Sequence, residues 1–258
     1  MNNDGSGRGS RGKIPVVSPT HTVIPVSPRI SRFSYAIRNI VVEAKKVEAS
    51  GVPVRYLNIG DPIQFGFKTP LHLIEAVEKA LRDGHNGYGP SAGIQAAREA
   101  VAAEDASKGW PTSPERVFIT AGTSEGIELA LTALLDEHGE VLVPMPTYPL
   151  YTAVIAKIGA QARYYRTDPT RQWIPDLDHL ATLVTPRTKA IVIIDPINPT
   201  GATYPTPVRK ALLQFADKHG LVILADEVYA DLGYDEAVAP IGSFDHDAPV
   251  ISFSSLSK

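Results

Sequence analysis

From Arg116 onward the chain alternates short apolar runs with stretches whose apolar residues recur at helical spacing. Val117–Thr120, Val141–Val143, Ala162–Tyr165, Ala190–Ile194, Leu221–Ala225 and Val250–Phe253 read as strands. Ser124 to about Leu135, Tyr148–Ile158, Asp176–Val184 and Thr206–His219 read as the helices between them. This alternation predicts right-handed βαβ units and a mostly parallel sheet. The run Leu221-Val222-Ile223-Leu224-Ala225 is apolar at every position, as a strand buried on both faces requires. It ends abruptly in Asp226, although a buried strand seldom ends in a charge without a partner. Taken alone, Asp226 reads equally well as an ordinary acidic residue in a strand-to-helix loop.

Before Arg116 the pattern is looser. Ile37, Ile40, Val41, Ala44 and Val47 share one helical face, and Ser50-Gly51 closes that helix. Val54–Ile59 reads as a short extended segment, Gly60-Asp61-Pro62 as a turn and Phe65-Gly66-Phe67 as an aromatic loop. Thr69-Pro70 reads as an N-cap followed by a first-turn proline, opening a helix with Leu71, Ile74, Val77 and Leu81. Thr206-Pro207 carries the same signal. A loop, His85 to Gly93, leads into another amphipathic helix bearing Ile94, Ala97 and Val101. Residues 1–28 are rich in proline and poor in periodicity, so a disordered arm is expected there.

Composition narrows the function classes. A chain of 258 residues, 43% hydrophobic, has enough apolar material for one large domain. A net charge of −3 points to neither nucleic acid nor a membrane surface. The absence of cysteine removes disulfide and thiolate chemistry and agrees with a reducing cytoplasm. The seven histidines are scattered, with no pair at metal-ligand spacing, so no metal is expected. No apolar run approaches the roughly 20 residues of a membrane span.

In open parallel sheets, ligands bind beyond the carboxyl ends of the strands. After Val117–Thr120 comes Ala121-Gly122-Thr123-Ser124, a small-residue turn into a helix N-terminus that suits a phosphate. After Val141–Val143 comes Pro144-Met145-Pro146-Thr147-Tyr148, whose prolines hold a ring able to stack on a flat ligand, or simply a core tyrosine. After Ala190–Ile194 comes Asp195-Pro196-Ile197-Asn198-Pro199-Thr200-Gly201, where flanking prolines stiffen Asn198 and aim its amide. Asp226 follows the central run, with Tyr229 three residues on. After Val250–Phe253 comes Ser254-Ser255-Leu256-Ser257-Lys258.

One ligand uses all of these groups. Pyridoxal 5′-phosphate (PLP) presents an aldehyde for a lysine, a pyridine nitrogen for a carboxylate, a phenolic oxygen for donors, a flat ring and a phosphate. Lys258 would form the Schiff base. Asp226 would keep the pyridine nitrogen protonated. Asn198 and Tyr229 would donate to the phenolic oxygen, and Tyr148 would stack on the ring. Gly122, Thr123, Ser124 and Ser255 would hold the phosphate. Lys258, Asp226 and Tyr229 are the expected catalytic residues.

With these motifs in place the chain resembles the class I/II aminotransferases, PLP-dependent enzymes of fold type I. The resemblance rests on Asn58-Ile59-Gly60-Asp61-Pro62, Tyr88-Gly89-Pro90-Ser91-Ala92-Gly93, Thr120-Ala121-Gly122-Thr123-Ser124, Asn198-Pro199-Thr200-Gly201, Ala225-Asp226-Glu227-Val228-Tyr229 and Ser255-Leu256-Ser257-Lys258. Phe65-Gly66-Phe67, Trp173-Ile174-Pro175-Asp176-Leu177 and Thr185-Pro186-Arg187-Thr188-Lys189 make it similar to the bacterial alanine aminotransferase branch. The resemblance implies an α/β fold, a mostly parallel sheet sandwiched by helices, with part of a smaller second domain. Residues 29–68 would contribute to that smaller domain, and 69–258 would form the PLP-binding domain. It implies a homodimer in which Tyr88 reaches the phosphate of the neighbouring subunit. It implies that Gly60 and Asn198 lie against an amino-acid substrate, flanked by Tyr35 and Arg38. The reaction implied moves an amino group between L-alanine and a 2-oxo acid, 2-oxoglutarate or pyruvate.

The family continues past its lysine to one arginine for the phosphate and another for the substrate carboxylate. This sequence stops at Lys258. The 258 residues alone are therefore expected not to be a competent transaminase. A β-lyase or cyclopropane-forming synthase shares nearly every motif above. An aminotransferase-like domain in a transcription regulator is a third reading, against which only a short arm precedes Arg29.

Overall fold

The computed structural model describes residues 36–57, 60–234 and 237–257. The expected arm, Tyr35, Asn58, Ile59 and Lys258 lie outside the described residues. Three helices come first: α1 (Ala36–Ala49), α2 (Leu71–Arg82) and α3 (Gln95–Ser107). There follow α4 (Thr123–Leu134), β1 (Glu140–Met145), α5 (Pro149–Ile158), β2 (Gln161–Asp168), β3 (Ile174–Pro175), α6 (Leu177–Leu183), β4 (Thr188–Ile194), α7 (Thr206–His219), β5 (Val222–Asp226) and β6 (Val250–Phe253). The strands form one six-stranded sheet in the order β3-β2-β1-β4-β5-β6. Every pairing is parallel except the short antiparallel contact of β3 with β2.

The alternation along each strand sorts the core into two layers. Val141, Val143, Val192, Ile194 and Leu224 face α4 and α5, with Ile127, Leu131, Tyr151 and Ile155 packed on them. Leu142, Ile191, Ile193, Ile223 and Ala225 face α6 and α7, against Leu180, Leu212, Leu213 and Ala216. Both faces are covered, which is why the central strands are apolar throughout rather than alternating.

Several boundaries differ from the sequence expectation, the following for local reasons. The central strand runs one residue later than Leu221–Ala225, because the N–H of Leu221 is taken by Ala216 O at the end of α7. Asp226 therefore sits inside the ladder, opposite Ile194 and Phe253. Tyr148 is not helical: it precedes Pro149, which disfavours the helical region, and it caps α5 in extended geometry. Thr69 and Thr206 are not N-caps; Pro70 and Pro205 occupy those positions, and neither helix start has a side-chain cap. Val117–Thr120 is not a strand of the sheet. It follows a 3₁₀ turn at Pro114–Arg116 and is held instead by Ile119 N–H to Ala92 O (2.9 Å) and by Arg98 Nε to Pro114 O and Val117 O (2.8 and 3.1 Å).

The opening end of the sheet is fastened by charge. Glu140, at the start of β1, has no exposed surface. Its carboxylate accepts from Arg163 Nε and Nη2 (2.7 and 3.0 Å), Arg187 Nε and Nη2 (3.0 and 2.6 Å) and Thr185 Oγ1 (2.7 Å). The bond from Arg163 does most to hold its pKa at about 2, from an ordinary 4.5. A carboxyl with a lowered folded pKa adds stability above its unfolded pKa, and that stability is lost as pH falls through the folded value. The window here runs from about 4.5 down to about 2. Both arginines keep partial contact with solvent, which moderates the loss. Glu140→Gln is expected to cost roughly 2–3 kcal/mol in urea unfolding near neutral pH. The gap to the parent should shrink as pH is lowered from about 4.5 towards 2.

Candidate functional site

The predicted ligand groups gather beyond the carboxyl ends of β1, β4, β5 and β6. Asp226 ends β5 on the sheet face that carries α5 and is only 5% exposed. Its Oδ2 accepts from the hydroxyl of Tyr151 at 3.0 Å, and its Oδ1 receives the N–H of Val228 at 3.4 Å. Burial pushes the Asp226 carboxyl up, while these two bonds pull it down. No cation among the described residues offsets the burial. A buried carboxylate short of a cation fits a ligand that brings a positively charged N–H.

Next to it, the loop after β4 brings Asn198 to Tyr229, and the two side chains hydrogen-bond. Burial, then the nearby Asp226, raises the Tyr229 hydroxyl; the bond with Asn198 lowers it. Tyr229 therefore remains a neutral donor, as a phenolic oxygen on a ligand requires. Tyr148 stands at the head of α5, half-buried against the same core layer. Its ring lies near Tyr151 and so joins the Asp226 group.

Past β6 the chain meets the start of α4. Thr123 Oγ1 donates to Ser254 O at 3.1 Å, which places the Gly122–Ser124 turn beside Ser255. Gly122 caps α4 with φ 86°, a left-handed conformation that favours glycine, and a Cβ there would meet nothing within 4 Å. The Gly122 N–H is taken by Thr120 O at 2.8 Å, and the turn borders open space at the start of α4, where a helix N-terminus suits a phosphate. The carboxylate of Glu125 takes the N–H of Ala121 at 2.5 Å and shapes the same turn. Ser255 and Ser257 hydroxyls bond each other at 2.8 Å just ahead of Lys258.

Other expected residues lie elsewhere or outside the description. Tyr88 stands on a loop with its side chain fully exposed. Gly60 is exposed on the turn before a 3₁₀ helix capped by Asp61. The backbone of Arg38 belongs to α1. Lys258 and Tyr35 are outside the described residues. Tyr151 was not anticipated, because a tyrosine on the apolar face of a helix reads as core; only its hydroxyl, three residues after Tyr148, hinted at a polar partner across the layer.

Glu227, adjacent in sequence, takes no part in this group. It faces the opposite side of the sheet, accepting from Ile241 N–H (2.7 Å) and Ser252 Oγ (2.5 Å). Burial pushes its carboxyl to about 7, partly offset by those two donors.

The fold is that of the fold-type I PLP proteins, and a buried carboxylate, an amide–phenol pair, an aromatic ring and an open helix-start turn gather at one end of its sheet. The family model for aminotransferase class I and II matches residues 53–258, and the chain belongs to that family. The glutamate-pyruvate aminotransferase AlaA of Escherichia coli (strain K12) is 39% identical over 241 residues, covering 91% of this chain and 58% of that protein. The alanine aminotransferase of Mycobacterium tuberculosis (strain H37Rv) is 38% identical over 236 residues, covering 90% and 55%. The solved structure of an alanine aminotransferase from Pyrococcus furiosus superposes with a TM-score of 0.87 at 39% identity, over 91% of this chain and 60% of that one. The chain thus spans somewhat over half the length of the curated relatives it matches. The family's cofactor is PLP, and the carboxylate, donor pair, ring and turn described above fit its substituents.

The loop carrying Tyr88 is pinned by close contact. Gly93 has φ 99°, and a Cβ there would lie 2.5 Å from Ile119 Cγ1. Gly93→Ala combines left-handed strain with overpacking and is expected to cost roughly 2–4 kcal/mol. Denaturant unfolding checks the loss. Limited proteolysis should show earlier cleavage between residues 85 and 93.

Proposed function

We propose that the complete protein is a PLP-dependent aminotransferase that exchanges the amino group of L-alanine with 2-oxoglutarate, pyruvate serving as the acceptor in reverse. The observation that carries this reading is Asp226, buried with no cation beside it among the described residues and bonded by Tyr151, near the Asn198–Tyr229 pair. The branch assignment leans on the alanine aminotransferases to which the chain is similar.

When bound, the cofactor supplies a ring that takes up the electron pair left at the substrate Cα. Asp226 holds the proton on the ring nitrogen. Asn198 and Tyr229 donate to the phenolic oxygen, and Tyr148 keeps the ring flat against the site. Gly122, Thr123, Ser124 and Ser255 hold the phosphate through N–H and hydroxyl groups. Lys258 would hold the cofactor's aldehyde carbon and would serve as the base for the proton at the substrate Cα. Gly60 and Asn198 orient the amino acid, with Tyr35 and Arg38 at its flank.

The exposed side chain of Tyr88 agrees with a homodimer in which it completes the phosphate site of a second copy. Residues 69–258 make up the cofactor domain, residues 29–68 feed a smaller domain and residues 1–28 are an arm. No helix among the described residues is long and apolar enough to cross a membrane; the cytoplasm is our proposed location for the enzyme.

L-Alanine added to the PLP-loaded full-length protein, without an acceptor, is expected to release about one pyruvate per site and no ammonia; steady ammonia release would overturn the reading in favour of a lyase. Lys258→Ala should lose the absorbance band of the lysine-bound cofactor. Asp226→Ala should retain some cofactor but lose turnover by on the order of 10²–10³-fold or more, because its charge matters most once the carbanion forms. Parent-like turnover in Asp226→Ala would remove Asp226 from the mechanism.

A further inference from the structure

We propose that Tyr151 is a positioning residue: its hydroxyl fixes the orientation and charge of Asp226 and thereby keeps the proton on the cofactor's ring nitrogen. This rests on the reading of Asp226 as the partner of that nitrogen.

Tyr151 lies in the first turn of α5 with no exposed surface, packed in the layer of Val143, Val192 and Ile194. A phenylalanine would fill the same space. A buried hydroxyl costs free energy unless it is bonded, so its presence here needs a partner worth the cost. That partner is the carboxylate of Asp226, at 3.0 Å. Tyr165 shows the alternative: equally inaccessible, on the other side of the sheet, it gives its hydroxyl to the backbone carbonyl of Val192 at 2.9 Å. Tyr151 spends its one O–H on a charge instead, and a hydrogen bond to an ionised acceptor is roughly twice as strong as a neutral one.

The bond also divides the labour of the two carboxylate oxygens. Oδ2 is engaged by Tyr151. Among the described residues Oδ1 has only the N–H of Val228, at 3.4 Å, the long end of hydrogen-bond geometry, and so is the oxygen able to accept a closer donor. The other ionisable groups around Asp226 are committed. Tyr229 is paired with Asn198, and Tyr148 acts on Tyr151. Glu227 is bonded to Ser252 and Ile241, and Asp195 to Arg209 at 2.7 Å. Tyr151 is therefore the side chain that stabilises the anionic form of Asp226 from within the core. With its hydroxyl removed the carboxyl binds a proton more readily, and the proton shared with the ring nitrogen moves towards the carboxylate.

The test uses the full-length protein loaded with PLP carrying ¹⁵N in the ring. In the parent and in Tyr165→Phe, the ring-nitrogen signal should be that of the protonated form from about pH 6 to about pH 9. In Tyr151→Phe it should move towards the unprotonated form, and cofactor retention should weaken by about tenfold. Incorporating 3-fluorotyrosine at position 151 keeps every contact and makes a stronger donor, so the signal should hold or move in the opposite direction. A parent-like signal in Tyr151→Phe, or a shift equal to that of Tyr165→Phe, overturns this inference alone. An unprotonated ring in the parent overturns the Asp226 reading and this one with it.

Discussion

A carboxylate buried at the end of a central strand costs several kcal/mol unless something compensates it. Asp226 is that carboxylate, and much of the surrounding structure is arranged around keeping it. Its backbone is locked into two ladders, opposite Ile194 on one side and Phe253 on the other, and its carbonyl receives the N–H of Asp195 at 3.0 Å. Its side chain is steadied by a tyrosine from the helix covering that face. Among the described residues no cation stands beside it. An apolar residue in its place would suit the fold better, so its presence is best understood through the site.

The two ends of the sheet divide stability from chemistry. At the amino ends of the strands, Glu140 is saturated with donors from Arg163, Arg187 and Thr185, an arrangement complete within the chain. At the carboxyl ends, Asp226 Oδ1 meets one long backbone donor among the described residues, and the turn at Gly122 borders open space. Satisfied polar groups hold the sheet together; incompletely satisfied ones mark where it meets something else.

Much of this was legible in the sequence, and the failures are instructive. Apolar runs such as Ala190–Ile194 and Val250–Phe253 announced buried strands, and the residues following each run announced the site. The one-residue shift of β5 was invisible, because it depends on Leu221 giving its N–H to the preceding helix. Val117–Thr120 has strand-like residues, but pairing is a property of neighbours in space, and composition does not reveal who the neighbour is. The two-residue β3 follows Gln172 and Trp173, both at positive φ, a conformation their side chains do not advertise. Tyr151 was hidden for the opposite reason: its ring obeys the helical pattern so well that the hydroxyl went unread.

Hanging the polar groups on consecutive strands has a geometric result. Parallel neighbours lie about 4.8 Å apart, so groups at the ends of β4 and β5 are offered at a spacing set by the backbone ladder. Asn198 follows β4, Asp226 ends β5 and Ser255 follows β6, in the same left-to-right order as the strands. The ladder therefore fixes the intervals between these groups, and changes in the covering helices leave those intervals unaltered. A lineage built on this scaffold would vary its substrates through the loops while the dimensions of the ring it accepts stayed the same.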